Sequence, residues 1–223
     1  MSTDSLVHPV GGARRGLTLT RALGGFWIAP SPFVLMSMLV ASVAARLVVA
    51  DWRWTDAVVP AVIVAVFPCY EWAIHVVVLH WRPRRIGSIT VDPLLSRKHR
   101  LHHADPRHSA LVFIPWQSLV PLVPLTAAIA LLAFPRLGLG LTCYVTIAAI
   151  SLGYEWTHYL IHTDYKPKTR PYKAIWRSHR LHHFKNEHYW FTVTTAGTAD
   201  RLLGTYPDPA AVPTSPTARA LHA

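Results

Sequence analysis

The sequence predicts an all-α integral membrane protein of about four transmembrane helices, with a helical cytoplasmic cap holding a histidine-rich site. Three observations lead there: four long apolar stretches, basic residues gathered on one side of them, and a histidine pattern that occurs twice. Hydrophobic residues make up 52% of the 223 and charged residues only 15%, too apolar for an ordinary soluble domain. The apolar stretches cover 26–50, 57–79, 117–134 and 138–161, each close to or above the ~20 residues a membrane helix needs. Pro30, Pro32, Pro121 and Pro124 weaken the first and third as helices.

Charge orients the spans. The connection between the first two carries Arg53 against Asp51 and Asp56, and that between the last two carries Arg136. By contrast, Trp81 to Arg107 contains Arg82, Arg84, Arg85, Arg97, Lys98, Arg100 and Arg107. After Ile161 come Lys166, Lys168, Arg170, Lys173, Arg177, Arg180, Lys185 and Arg201, and the N-terminal tail adds Arg14, Arg15 and Arg21. The positive-inside rule then puts both termini and both histidine-bearing segments in the cytoplasm. The net charge of +11 flanks the spans, so it suits anionic lipid headgroups and no nucleic acid.

The expected organisation is a cytoplasmic tail over 1–25, a membrane domain over 26–206, and a disordered tail over 207–223 rich in Pro, Ala, Thr and Ser. Residues 1–25 lack an apolar core with a small-residue cleavage site, so the first span is expected to serve as an uncleaved targeting segment. Cys69 and Cys143 lie within spans and read as reduced, packed small hydrophobes.

The histidine pattern is an internal repeat over about 70–115 and 154–195. Its first copy has His75, His80 and then His99-Arg100-Leu101-His102-His103; its second has His158, His162 and then His179-Arg180-Leu181-His182-His183. Tyr70-Glu71-Trp72 precedes the first copy as Tyr154-Glu155-Trp156 precedes the second. Imidazole is the commonest transition-metal side-chain ligand, and ten in matched spacing suggest two ions. His158 and His162 stand at i,i+4, on one helix face. Within each HxxHH the first histidine is i,i+3 and i,i+4 to the others, so all three share a face of a helix. His75 and His80 are i,i+5 and converge only where the helix end unwinds or forms a π-bulge.

Nitrogen-rich sites suit zinc, copper, iron and nickel, and ligand type alone does not choose among them. A closed structural zinc site usually includes cysteine, and none lies near either box. A non-catalytic membrane metal or haem protein is the alternative from another class, though a haem needs only two axial histidines. Glu71 and Glu155, costly near a membrane, are expected behind the ligands, each accepting a hydrogen bond from an imidazole, with an ion pair to arginine as the other reading. His108 and His188, five residues after each box, are candidates for an extra ligand or a substrate contact. His8 and His222 fall in the tails, outside any expected chemistry.

At these residues the chain resembles the membrane fatty acid hydroxylase and sterol desaturase superfamily, whose histidine boxes of HX3–4H and HX2HH type surround a di-metal centre. The likeness runs from Tyr70 to Pro207. It is nearest to fatty acid 2-hydroxylases at His102-His103-Ala104-Asp105-Pro106 with Leu111 to Pro115, and at His182-His183-Phe184-Lys185-Asn186 with Phe191 to Thr195. Asp200 to Thr205 is similar to a segment that closes the cytoplasmic domain. The resemblance implies a membrane-bound non-haem di-iron monooxygenase that uses O2 to hydroxylate a C–H bond of a membrane lipid, foremost a long-chain fatty acyl group. It carries the ten box histidines over as iron ligands, with zinc able to occupy the sites in isolated protein, and adds Asn186 as a neighbour of the centre. Carotenoid and sterol hydroxylases or desaturases share such boxes and remain open. Tyr189 and Trp190 replace the small residues usual there and are candidate substrate contacts. No cytochrome b5-like domain is fused, so a separate donor, a ferredoxin or a cytochrome b5-like protein with its reductase, is expected. The Ala-, Arg- and Val-rich usage points to a bacterial cytoplasmic membrane.

Overall fold

The computed structural model describes residues 16–222; His8, Arg14 and Arg15 lie outside them. The described chain is mostly helical, with four helical segments long and apolar enough to cross a membrane: Pro30–Val49, Trp54–Leu79, Ser109–Leu132 and Leu137–Ile161. Helix α1 (Leu19–Phe26) precedes α2 (Pro30–Val49), and a 3-10 turn at Trp54–Ala57 leads into α3 (Val58–Ala73). A π-helical turn, Ile74–Leu79, continues α3. Next come a hairpin of β1 (Arg84–Ile86) and β2 (Ile89–Val91), then α4 (Leu94–Ala104) and the single turn α5 (Ser109–Val112). Helices α6 (Trp116–Leu132), α7 (Leu137–Ile161), α8 (Arg170–Phe184) and α9 (Thr198–Leu202) complete the order.

The prolines end up where each costs least. Pro30 opens α2, where its missing N–H has no helical partner to lose. Pro68 lies inside α3, and Pro121 and Pro124 inside α6, without ending either helix, as membrane helices tolerate. Helix α7 is the hub, packing on α2, α3 and α6. Small residues permit the contact: a Cβ on Gly140 would stand 2.7 Å from the Ala130 carbonyl oxygen of α6, and close backbone approach is what glycine supplies in membrane packing. Val48, Val64, Ile129 and Leu132 point outward, as lipid-facing surfaces require.

The two ends of this bundle differ in chemistry. At one end, the Arg46 guanidinium is buried and donates to Thr142 Oγ1 at 2.9 Å, Asp51 at 3.2 Å and Asp56 at 3.1 Å. Arg136 joins the same two aspartates, and the Trp52 ring covers Arg46 at 3.5 Å. The network ties the α2–α3 and α6–α7 connections together with no net charge. At the other end stand all ten box histidines.

Two expectations, on the two tails, are corrected here, and a short hairpin is added to the all-α fold. Residues 19–25 are helix rather than tail, because Ala22 and Phe26 give α1 an apolar stripe that packs on Phe113 and Tyr159. The hairpin interrupts an otherwise all-α chain where Gly87, at φ +60°, makes a tight turn between two short extended runs. The segment 207–222 is docked rather than disordered. Its composition is poor in large apolar groups, but Val212, Ala218 and Leu221 are buried, and its main chain is tied to the end of α8 by Ser215 N–H to the Lys185 carbonyl at 2.8 Å. Replacing Gly140 with leucine should force α6 and α7 apart and cost about 1–3 kcal/mol, read as a lower Tm than the parent in the same detergent.

Candidate metal centre

Four helices bring the imidazoles together. The π-turn after α3 carries His75 and leads to His80; α4 carries His99, His102 and His103; α7 carries His158 and ends at His162; α8 carries His179, His182 and His183. The second half uses regular helix for its i,i+4 pair. The first half has one residue more between its histidines, and the π-turn absorbs it: the His80 N–H donates to the His75 carbonyl, five residues back, at 3.0 Å. The two rings then stand 5.0 Å apart between centroids.

The ten histidines resolve into two groups of five. His75, His80, His99, His103 and His182 form the first, and His102, His158, His162, His179 and His183 the second. Within each, one ligand atom per residue lies within 4.8 Å of all the others. The halves exchange one ligand: His182 of the second repeat completes the first group, and His102 of the first completes the second. The groups adjoin where the His103 and His183 rings approach to 4.2 Å.

Their inner nitrogens are crowded. Nε2 to Nε2 separations are 3.1 Å for His75–His99 and His99–His103 and 3.2 Å for His80–His182. In the second group they are 3.2 Å for His102–His162 and 3.0 Å for His162–His179 and His179–His183. A neutral imidazole has one proton. His103 and His182 must carry theirs on Nδ1, which donates at 2.8 Å to the Ala218 and Tyr189 carbonyls respectively. Their Nε2 atoms are therefore acceptors, facing other nitrogens in a buried space. A cation is what such a donor-poor cluster fits. Metal–nitrogen bonds of about 2.1 Å place neighbouring ligands about 3.0 Å apart at right angles and about 3.4 Å apart in a tetrahedron. The observed separations are those of neighbouring ligands that could share one cation.

Burial pushes the imidazoles of His80, His99, His102, His103, His162, His179, His182 and His183 well below the ordinary histidine pKa, and neighbouring imidazoles push the same way. All eight are neutral at pH 7, the state a metal ligand needs.

The carboxylates do something other than expected. Among the described residues, neither Glu71 nor Glu155 has a hydrogen bond or ion pair to an imidazole or an arginine. Glu71 accepts from Thr194 N–H and Oγ1 at 2.8 Å and from Thr195 Oγ1 at 2.9 Å. Glu155 accepts from Ser31 Oγ at 2.5 Å and from Ile114 N–H at 3.0 Å. Each glutamate thus clamps the non-helical segment that follows the HxxHH of the opposite half. The match is repeat-symmetric, since Ile114 and Thr194 each lie eleven residues past the last histidine of their box.

The candidate extra ligands are not brought in. His108 is exposed, and the His188 side chain is 70% exposed, 3.5 Å from Glu187. Both sit on turns where the chain leaves the box helix. Asn186 is buried but braces its loop, donating to the Pro213 carbonyl at 3.3 Å and accepting from His188 N–H. Trp190 is wholly enclosed, its main-chain N–H donating to the Thr205 carbonyl at 2.9 Å, and Tyr189 contributes its carbonyl to His182. The Trp190 side chain is therefore closed off from solvent, whereas that of Tyr189 is half-buried. Asp200, buried, accepts from Phe191 and Thr192 N–H at 2.8 Å and fixes the loop after it. Sequence reasoning missed the two carbonyls that orient His103 and His182, and it missed Glu187, buried beside the last turn of the box. Carbonyls leave no sequence signal.

A family model described as fatty acid hydroxylase matches residues 60–205, which contain every histidine of both groups. The chain belongs to the fatty acid hydroxylase family. Among solved structures, one described as "Full length scs7p (only hydroxylase domain visible)" is similar at 20% identity, with a TM-score of 0.67, over 85% of this chain and 69% of that one. At that identity the likeness shows a shared fold. No curated protein sequence matches. Membership of the fatty acid hydroxylase family makes the chain an enzyme of the hydroxylase and desaturase kind, with metal-binding histidine clusters.

Two outcomes test the geometry. His102→Ala should empty the group made otherwise by the second repeat, and His182→Ala that made by the first, so each should hold one ion fewer by elemental analysis. In metal-free protein, the buried imidazoles stay neutral while those of the unfolded chain take up protons below about pH 6.5. Stability should therefore fall as pH drops through that value, by at most about 1.4 kcal/mol per pH unit for each group. A Tm unchanged between pH 8 and 5.5 would contradict the burial.

Proposed function

We propose that this protein is an O2-dependent di-iron hydroxylase of membrane lipids, acting foremost on a long-chain fatty acyl group. The observation that carries the reading is the pair of five-imidazole groups, sharing one ligand each way, at one end of four apolar helices in a fatty acid hydroxylase. Two ions per chain follow from two groups. Five nitrogens within 4.8 Å of one another also leave no slot for a porphyrin between them, which disfavours the haem alternative.

Bound iron would supply the activation of O2 for attack on an unactivated C–H bond. The balanced reaction takes R–H, O2, two electrons and two protons to R–OH and water. The protein's residues hold the ten ligands neutral and oriented, through burial, the two carbonyl acceptors and the glutamate clamps. The Phe191 ring packs on His75, His80 and His182 at centroid distances of 5.7, 5.5 and 5.4 Å. It presents an apolar wall that keeps water from the first group and suits an acyl chain. Because the histidines stand where the spans end, the part of an inserted lipid nearest them is close to its polar end.

The basic residues around this face support a cytoplasmic orientation, and the Ala-, Arg- and Val-rich usage supports a bacterial membrane. The two electrons then come from a separate ferredoxin or cytochrome b5-like protein with its reductase. Exposed Arg82, Arg84, Arg97, Lys166, Lys173 and Arg177 give that face a basic surface suited to an acidic donor.

Lipid profiling of cells with and without the gene, with His102→Ala as control, tests this. A hydroxylated acyl species that carries one oxygen from labelled O2 should vanish in the knockout and in the control. A changed carotenoid or sterol beside unaltered acyl lipids would reassign the substrate.

A further inference from the structure

We propose that the segment 208–222 is a strap that positions the ligands of the first metal group and leaves the second untouched. Two of its contacts reach ligand residues, and both belong to the first group. The Ala218 carbonyl accepts from His103 Nδ1 at 2.8 Å, and His222 Nε2 donates to the His80 carbonyl at 3.0 Å. The repeat counterpart of His103 is His183, whose buried Nδ1 has no partner among the described residues. No described hydrogen bond joins the strap to His102, His158, His162, His179 or His183.

The strap is seated rather than draped. Its Val212 and Leu221 side chains are buried, Thr217 Oγ1 donates to the buried Glu187 carboxylate at 2.5 Å, and Arg219 donates to the Ala104 carbonyl, next to His103, at 2.9 Å. A carbonyl on Nδ1 commits His103 to offering Nε2 inward and raises its basicity, an effect that in other sites changes metal affinity 10–100-fold. The segment lies beyond residues 60–205, which match the family model. The two groups share a ligand pattern, yet the strap makes them unequal.

The inference rests on the reading of two ions per chain, so the test begins with the full-length parent. Cobalt(II) is bound anaerobically, counted, and withdrawn with increasing chelator. In Val212→Asp/Leu221→Asp, charges at the two buried anchors lift the strap from the full chain, and Val212→Ile/Leu221→Met serves as the conservative control. The lifted variant should release one of its two ions at a chelator concentration 10–100-fold lower, while the second ion and the control are unchanged. Thr217→Val, which removes a single tether, should shift the same ion in the same direction by less. Adding the lifting pair to His102→Ala should weaken the ion that remains; adding it to His182→Ala should not. Two ions held with parental affinity after lifting, or both loosened equally in Thr217→Val, would overturn the strap. A parent that binds fewer than two ions would instead remove the two-ion reading, and the strap with it.

Discussion

Six pairs of imidazole nitrogens face each other at 3.0–3.2 Å in the interior of this protein, and the rest of the fold is arranged to keep them there. Lone pairs crowded into a buried space are unfavourable unless protons or a cation lie between them. Protons are scarce, because burial keeps the rings neutral and two of them direct their only N–H outward to carbonyls. The site is therefore stable in its close-packed form mainly as a cation cage. The exchange of His102 and His182 makes each cage depend on both repeats, so neither half can complete a site alone.

The carboxylates show how that constraint is met without adding ligands. Glu71 and Glu155 sit one turn ahead of the first histidine of each half, and each grips the chain that follows the opposite box. A buried carboxylate with several donors is far less costly than a bare one. Here the donors are main-chain N–H groups and hydroxyls of segments that would otherwise be free loops. The clamp orders those segments, and Phe191, Trp190 and the Tyr189 carbonyl take their places through it. At the opposite end of the bundle, Arg46, Asp51, Asp56 and Arg136 hold the two connections, so α2 and α7 are tied near both ends.

Pseudo-symmetry is strict in the ligands and loose in their supports. The spacing difference between His75–His80 and His158–His162 is absorbed by a π-turn, which leaves both pairs converging. The outer nitrogens diverge: His103 finds a carbonyl in the strap, whereas His183 finds none. A duplicated site can thus keep a common inner geometry while its two histidine groups sit in different surroundings.

Much of this was legible in the residues alone. Apolar length determined the four spans, because a membrane helix needs a fixed number of apolar residues. The doubled histidine spacing pointed to the ten imidazoles that the fold gathers, because i,i+3 and i,i+4 residues share a helix face, and the i,i+5 offset of His75 and His80 called for an unwound end or a π-turn, of which the structure has the π-turn. Local pattern could not say which imidazole joins which group. His102 and His103 are neighbours in sequence, about 100° apart around α4, and only the placement of α4 among the other histidine-bearing segments sends them to different groups. Nor could composition show that 207–222 is docked, or that Glu71 grips Thr194 rather than a histidine. Those contacts join residues from about thirty to more than a hundred positions apart, through carbonyls and hydroxyls that carry no distinctive sequence, so the tertiary structure alone decided them.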